Sequence, residues 1–320
     1  MAARFPAFEP RGVIPAALLP FHDDLSIDAA GYRAHLRDLG AVRGISAITT
    51  NAHASEVASC DPAEQDAVLA LTMEEVGDRI PVVSGVYSDG TLQAVRLARA
   101  AAAGGASALL VFPPTVLARG NQARPECLAD HVRAIAAATD LPLILFQYPL
   151  ASGLTYPLAT LQELAEEIPS VRAIKDWSGD PVVAERHVVA LSALRRPVHV
   201  LSTHSAWLFP SLVTGCQGLL SGSGSVIAEL QVALFEAVQR GDMAEAQALN
   251  ARIRPTAEVF YAEPFFDMHN RMKEALVLLG KLPRAVVRPP LKKLGAAEIG
   301  RIAAALEAAR LRPERRMAAE

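Results

Sequence analysis

Short apolar segments alternate with amphipathic segments along most of the chain. The apolar segments show no clean two-residue alternation, which is typical of parallel strands that are buried on both faces. The segments between them carry apolar residues at helical spacing, as Leu158, Leu161 and Leu164 do after Pro157. The eight predicted strands cover residues 12–21, 44–50, 81–87, 108–114, 142–149, 171–178, 199–203 and 218–222.

Eight strand–helix units in series predict a (β/α)8 TIM barrel rather than an open α/β sheet. The pattern also predicts helix starts: a first helix from Ser26 to Leu39, and a capped helix that begins with the sequence DPAE at 61–64. Beyond Gly241 the strand-like segments stop and three helical patterns follow. We therefore expect a barrel domain over residues 10–241 and a C-terminal helical extension over residues 242–320.

Composition and charge narrow the class of protein. Of the 320 residues 51% are hydrophobic, and the formal net charge is only −3 with both signs mixed along the chain. This balance favours neither nucleic acid nor an anionic membrane as a partner. The three cysteines, Cys60, Cys127 and Cys216, are too far apart to predict a disulfide framework or a metal site. No signal peptide or membrane-spanning run is evident, so we expect a cytoplasmic protein.

Lys175 lies at the end of the sixth predicted strand, directly after Ala173 and Ile174, and is the only lysine at a predicted strand end. The carboxyl ends of the strands carry the working residues of such barrels. An unpaired buried ammonium costs several kcal/mol, so Lys175 either pairs with a carboxylate or is a nucleophile held in a dry site. An unperturbed lysine amine is neutral in only about one molecule in a thousand at pH 7, so burial would strongly increase its reactivity.

Several motifs occur in an order and at spacings that resemble the dihydrodipicolinate synthase / N-acetylneuraminate lyase family. They are GVIPAALLPF at 12–21, a second-strand turn ending in Glu56, FQYP at 146–149, AIKD at 173–176 and GLLSGSGS at 218–225. The resemblance implies a class I lyase that needs no cofactor and forms a Schiff base between Lys175 and pyruvate or another 2-oxo acid. It also implies a homotetramer, in which the apolar loop at 112–117 would be covered.

The chain departs from the family's pattern at several functional positions. The second-strand turn usually reads Gly-Thr-Thr-Gly-Glu, whereas residues 52–56 read AHASE, so both threonine hydroxyls are missing. The family's general-acid tyrosine falls on Phe146, its interface tyrosine on Thr115 and its carboxylate-binding arginine on Ala151. A lost bidentate carboxylate clamp is not easily replaced. We therefore expect an altered substrate range.

Two other residues are candidates for the missing proton transfer. His53 occupies the place of a relay threonine, and a histidine ordinarily titrates near neutral pH. Tyr148 lies two residues beyond Phe146 on the same strand, which places it on the same side and about 7 Å nearer the mouth. We expect both to be catalytic together with Lys175.

Five further residues are expected to contact the substrate. Backbone N–H groups around Ala54 and Ser55 would hold the carboxylate of the 2-oxo acid, and the remaining three, Phe146, Leu220 and Ser221, would line the site.

Two alternatives to the lyase remain open on sequence alone. One is a barrel with a decayed catalytic relay that only binds a small oxo acid. The other is a metal-dependent lyase using His53, Glu56 and His204, because histidine and carboxylate at strand ends can ligate zinc. Trp177 is expected to pack beside the lysine, and the remaining histidines are expected to be surface or structural residues: His22, His35, His131, His187, His199 and His269.

Overall fold

The structure, a computed structural model, describes Phe5 and residues 8–203 and 205–313. Within these residues eight parallel strands form one sheet in the order β1-β8-β7-β6-β5-β4-β3-β2. The strands are β1 Gly12–Pro15, β2 Ile48–Thr50, β3 Val82–Val86, β4 Ala108–Val111, β5 Leu143–Gln147, β6 Val171–Asp176, β7 His199–Ser202 and β8 Gly218–Ser221. The helices are α1 Ala29–Ala41, α2 Pro62–Glu75, α3 Thr91–Ala103, α4 Pro125–Ala136, α5 Leu158–Glu167, α6 Pro181–Ser192, α7 Leu208–Val213, α8 Gly224–Gln239, α9 Met243–Phe260, α10 Met268–Leu278 and α11 Ala296–Ala308.

The sheet closes on itself between β1 and β2. These strands are joined by parallel bridges from Val13 to Ile45 and from Ala16 to Thr49, and the N–H of Ala17 donates to the carbonyl of Thr49 at 2.8 Å. The predicted (β/α)8 barrel is therefore confirmed, and the carboxyl ends of all eight strands open at one end of the barrel.

The core has one layer inside the barrel and one between the strands and the helices. Because side chains alternate along a strand, Ala173 packs inside the barrel while Ile174 packs against the surrounding helices. Lys175 follows Ala173 by two residues and therefore points into the barrel. The sequence of β6 thus decides which way the lysine faces.

Two predicted boundaries differ from the structure because of local hydrogen bonding. The first strand ends at Pro15 rather than Phe21. The N–H groups of Ala16 and Ala17 still donate to Ser221 and Thr49 at 3.1 and 2.8 Å, but Pro20 has no N–H for a strand ladder. The first helix begins at Ala29 rather than Ser26, because Asp28 caps it by accepting from the N–H of Gly31 at 2.8 Å.

The C-terminal helices share a core with the barrel. Ile253, Phe260 and Leu276 from α9 and α10 pack in one cluster with Val13 of β1 and Leu219 of β8. This shared core holds the start of α10 over the carboxyl ends of the strands. The domain boundary at 241/242 stays a prediction. No helix in the described part of the chain is both long and apolar enough to cross a membrane.

Candidate active site

Lys175 lies near the end of β6 inside the barrel with only 5% of its surface exposed. It is in register with Phe146 of β5, and its Nζ lies 4.1 Å from the centre of the Phe146 ring. Burial lowers the pKa of the Lys175 amine to about 7, and no carboxylate among the described residues forms an ion pair with it. Among the described residues, Lys175 is therefore not a structural lysine held in a salt bridge. About half of the amine is then neutral at pH 7.

A buried hydrogen-bond network fixes the outer side of the same strand ends. Asp176 accepts from His187 Nδ1 at 2.7 Å, and the N–H of Ser178 donates to its other oxygen at 2.7 Å. His187 Nε2 lies 3.2 Å from the amide nitrogen of Gln147, which also donates to the carbonyl of Tyr156 at 3.0 Å. A carboxylate can only accept, so His187 carries its proton on Nδ1 and accepts at Nε2. The network therefore holds β5 and β6 beneath Phe146 and Lys175, and His187 is structural as predicted.

His53 and Tyr148 meet at the mouth of the barrel. The phenol oxygen of Tyr148 lies 2.9 Å from Nε2 of His53, and the Tyr148 ring packs on Phe146 with ring centres 4.4 Å apart. Burial raises the pKa of Tyr148 well above its usual value, so the phenol keeps its proton. Burial and the nearby charge of Lys175 lower the pKa of His53 to about 3. The prediction that His53 titrates near neutral pH is therefore wrong, because the sequence does not reveal how dry its position is.

The remaining predicted contact residues lie near the lysine with different degrees of access. Ala54 lines the cavity at Lys175, but Ser55 donates its N–H to the carbonyl of Ala52 at 3.0 Å and its Oγ to the carbonyl of Ala17 at 2.9 Å. Leu220 packs inside the barrel. Ser221 is buried, with its Oγ 2.8 Å from Ser223 Oγ and 3.4 Å from the phenol oxygen of Tyr261. Their roles in substrate binding stay predictions.

Two polar residues of the site were missed by the sequence analysis. Tyr261, directly after α9, and His269, at the start of α10, both line the cavity that contains Lys175. His269 was expected to be a surface or structural residue, but burial and then the charges of His53 and Lys175 lower its pKa well below its usual value. A Cβ at Gly222 would lie 3.0 Å from His269 Nε2, so the glycine makes room for this ring. Neither residue follows a strand, so the rule of strand ends could not find them.

A buried ion pair lies beside the site. Lys273 of α10 donates to Glu56 and, at 2.8 Å, to the carbonyl of Val286, while the N–H of Arg288 donates to the second Glu56 oxygen at 3.1 Å. The predicted metal set of His53, Glu56 and His204 includes one residue outside the described part of the chain, His204. Of the other two, His53 bonds to Tyr148 and Glu56 to Lys273. The described residues hold no group of three or more histidine, cysteine, aspartate or glutamate side chains placed to bind a metal.

Two adjoining cavities give access to the lysine. The inner cavity has a volume of about 20 Å³ at Lys175, enough for about one water molecule. The outer cavity has a volume of about 450 Å³ and shares His53, Trp177, Met268 and His269 with the inner one. The shared lining makes the outer cavity a route to Lys175, and a substrate that enters this way would displace side chains such as the flexible Met268.

Comparison with known proteins assigns the chain that carries this site to a family. The sequence matches the model of the dihydrodipicolinate synthetase family over residues 9–309. The chain belongs to this family. Its relatives include the 4-hydroxy-tetrahydrodipicolinate synthase of Methanopyrus kandleri, which is 30% identical over 287 residues, or 89% of this chain and 92% of the relative.

The names of this chain's relatives describe more than one enzyme activity. The probable 5-dehydro-4-deoxyglucarate dehydratase of Saccharopolyspora erythraea is also 30% identical, over 300 residues and 91% of each chain. Among solved structures, a prophage protein of the family from E. coli K12 in complex with pyruvate superposes with a TM-score of 0.87 at 23% identity, covering 94% of this chain and 99% of that chain. This likeness confirms the fold, and the named relatives place the chain among lyases of more than one specificity.

Proposed function

We propose that this family member is a Schiff-base-forming lyase of the aldolase type, acting on pyruvate or another 2-oxo acid with Lys175 as the nucleophile. The observation that carries the proposal is the buried amine of Lys175, whose pKa is lowered to about 7 at the carboxyl end of β6. A protein that only binds an oxo acid has no need of a neutral amine at this position. The reaction breaks or forms a carbon–carbon or carbon–oxygen bond next to the imine, without a cofactor.

The chemistry begins with the neutral amine. Its lone pair attacks the C2 carbonyl of the 2-oxo acid, and the resulting carbinolamine loses water to give the protonated imine. This cation draws electrons from the bond that breaks, and the enamine that forms takes up a proton at C3. Each step needs a group that gives or takes a proton. We propose that His53 and Tyr148, which are hydrogen-bonded to each other, are these groups.

The imine is tested by trapping it. Incubation of the purified chain with pyruvate and borohydride should add the mass of the reduced pyruvyl group to the peptide containing Lys175 and to no other. The rate of trapping should rise about tenfold per pH unit below pH 7 and level off above it, because only the neutral amine attacks and its pKa is about 7. Binding of pyruvate without any adduct would instead support a binding protein.

The proton relay gives a separate prediction. His53→Ala should lower turnover by about a hundredfold or more, while the Lys175 adduct can still be trapped, and Tyr148→Phe should have a similar effect because it removes only the hydroxyl bonded to His53. Since the pKa of His53 is about 3 and that of Lys175 about 7, the fall in activity below pH 7 should persist in both variants. The measurements are steady-state rates across pH.

The half-exposed His22 offers a matched control for this prediction, because His22→Ala removes an imidazole outside both cavities. Normal turnover in both His53→Ala and Tyr148→Phe would contradict the relay and transfer the proton chemistry to Tyr261 or His269 across the cavity.

We also propose a homotetramer in the cytoplasm, as the resemblance implies. Val116 and Leu150 are exposed apolar side chains on the loops after β4 and β5. These two loops pack together, since a Cβ at Gly153 would overlap the carbonyl of Ala118. A second subunit that covered this apolar surface would remove it from water.

A further inference from the structure

Six aromatic side chains form a continuous layer from the barrel interior to its mouth, which we call the aromatic wall: Tyr87, Phe112, Phe146, Tyr148, Trp177 and Phe265. Consecutive ring centres lie 5.4, 5.3, 4.4, 5.9 and 6.3 Å apart in this order. The whole chain has only ten phenylalanines, five tyrosines and two tryptophans. The chain is therefore not rich in aromatic residues as a whole, but they are concentrated beside the reactive lysine.

The outer cavity continues this apolar surface. Besides Tyr87, Trp177 and Phe265 it is lined by Phe266, Met268 and the segment 289–291, which reads Pro-Pro-Leu. The Phe266 side chain is 66% exposed at its rim, an unfavourable position for a phenylalanine unless something covers it. The volume of about 450 Å³ is that of an ordinary small-molecule site.

Apart from the nucleophile Lys175, the charged side chains that line the two cavities are already paired. Among the described lining residues they are Glu56, which is bonded to Lys273, and Arg288. The Arg288 guanidinium donates to Glu64 at 2.7 Å and to the carbonyl of Ser59 at 2.8 Å. A second carboxylate on the substrate would therefore lie against aromatic rings without a counter-charge, which is unfavourable.

We propose that the outer cavity binds an aryl group, so that the substrate is the aldol adduct of a 2-oxo acid with an aromatic aldehyde. This inference rests on the proposed imine chemistry at Lys175. The aryl ring would stack or pack edge-on against Trp177 and Phe265, as the rings of the aromatic wall do with each other.

The reaction needs no reactant other than water. The Lys175 amine and the C2 ketone of a 4-aryl-4-hydroxy-2-oxobutanoate form the imine and release water. The C4 hydroxyl loses its proton, the C3–C4 bond breaks, and its electron pair forms the enamine while the aromatic aldehyde leaves. The enamine takes up a proton at C3, and water hydrolyses the imine to pyruvate and the free amine. The reverse sequence is the condensation.

The test measures condensation of pyruvate with three aldehydes by the full chain: benzaldehyde, succinic semialdehyde, which carries a carboxylate, and glyceraldehyde, which carries hydroxyls. We expect kcat/KM to be at least about tenfold higher for benzaldehyde, because burial of a phenyl ring favours its adduct. Trp177→Ala should raise KM for benzaldehyde at least about tenfold for the same reason.

One further variant and one control keep the outcomes distinct. Phe266→Ala should raise KM for benzaldehyde, whereas Val189→Ala should not, although the two side chains are 66% and 65% exposed and Val189 lies on α6 away from both cavities. Equal efficiency with all three aldehydes, in a protein whose Lys175 still traps pyruvate, would overturn the aryl inference alone. Failure to trap any 2-oxo acid would overturn both the imine and the inference that rests on it.

Discussion

Replacing Lys175 by alanine is expected to lower turnover by at least about 10⁴-fold, because it removes the nucleophile that forms the imine. No other lysine lines the inner cavity among the described residues. The other buried lysine, Lys273, is bonded to Glu56 and to the carbonyl of Val286. The measurement is turnover of the adduct or aldehyde that proves to be the best substrate, together with borohydride trapping of each variant.

Two variants separate loss of the nucleophile from loss of the fold or of charge. Lys175→Arg keeps a long cationic side chain that forms no imine, so it should be as inactive as Lys175→Ala. Lys292→Ala removes an exposed lysine outside both cavities and should leave turnover and trapping unchanged. Turnover in Lys175→Ala above about one hundredth of the normal rate would mean that the reaction does not pass through this imine.

Much of the fold could be predicted because its signals are local. A buried strand shows as an apolar run, a helix as apolar residues at helical spacing, and neither depends on distant parts of the chain. The boundaries were less well predicted because they depend on single hydrogen bonds. The ladder bonds of β1 run on to Ala16 and Ala17 beyond the end of the strand, and the side chain of Asp28 caps α1, so that the helix begins at Ala29 rather than Ser26.

The site was predicted only as far as strand ends determine it. Lys175 and Tyr148 point into the barrel because of two-residue alternation, and the structure brings the Tyr148 hydroxyl to within 2.9 Å of His53. Tyr261 and His269 come from the C-terminal helices, and their position over the lysine depends on how α9 and α10 pack on β1 and β8. The pKa of His53 likewise depends on burial, which is a property of the whole fold.

The second large effect is expected from the buried pair of Glu56 and Lys273, whose side chains are 6% and 0% exposed. Glu56→Gln should lower the free energy of unfolding by about 3–5 kcal/mol, because it leaves the Lys273 ammonium buried without a counter-charge. Burial lowers the pKa of Lys273, so the unfolded state of this variant binds more protons and its stability should rise with pH. Urea unfolding at several pH values measures both effects.

A double-mutant cycle distinguishes the pair from the two single residues. Lys273→Met combined with Glu56→Gln should cost clearly less than the sum of the single changes, since no buried charge is then left alone. Glu258→Gln, which removes half of the exposed pair with Arg254 on α9, should not change stability measurably. Additive costs at Glu56 and Lys273 would show that the two side chains act independently. The N–H of Arg288 also bonds to Glu56, and the next residues, 289–291, line the outer cavity. Loss of the pair should therefore weaken substrate binding even under conditions in which the barrel stays folded.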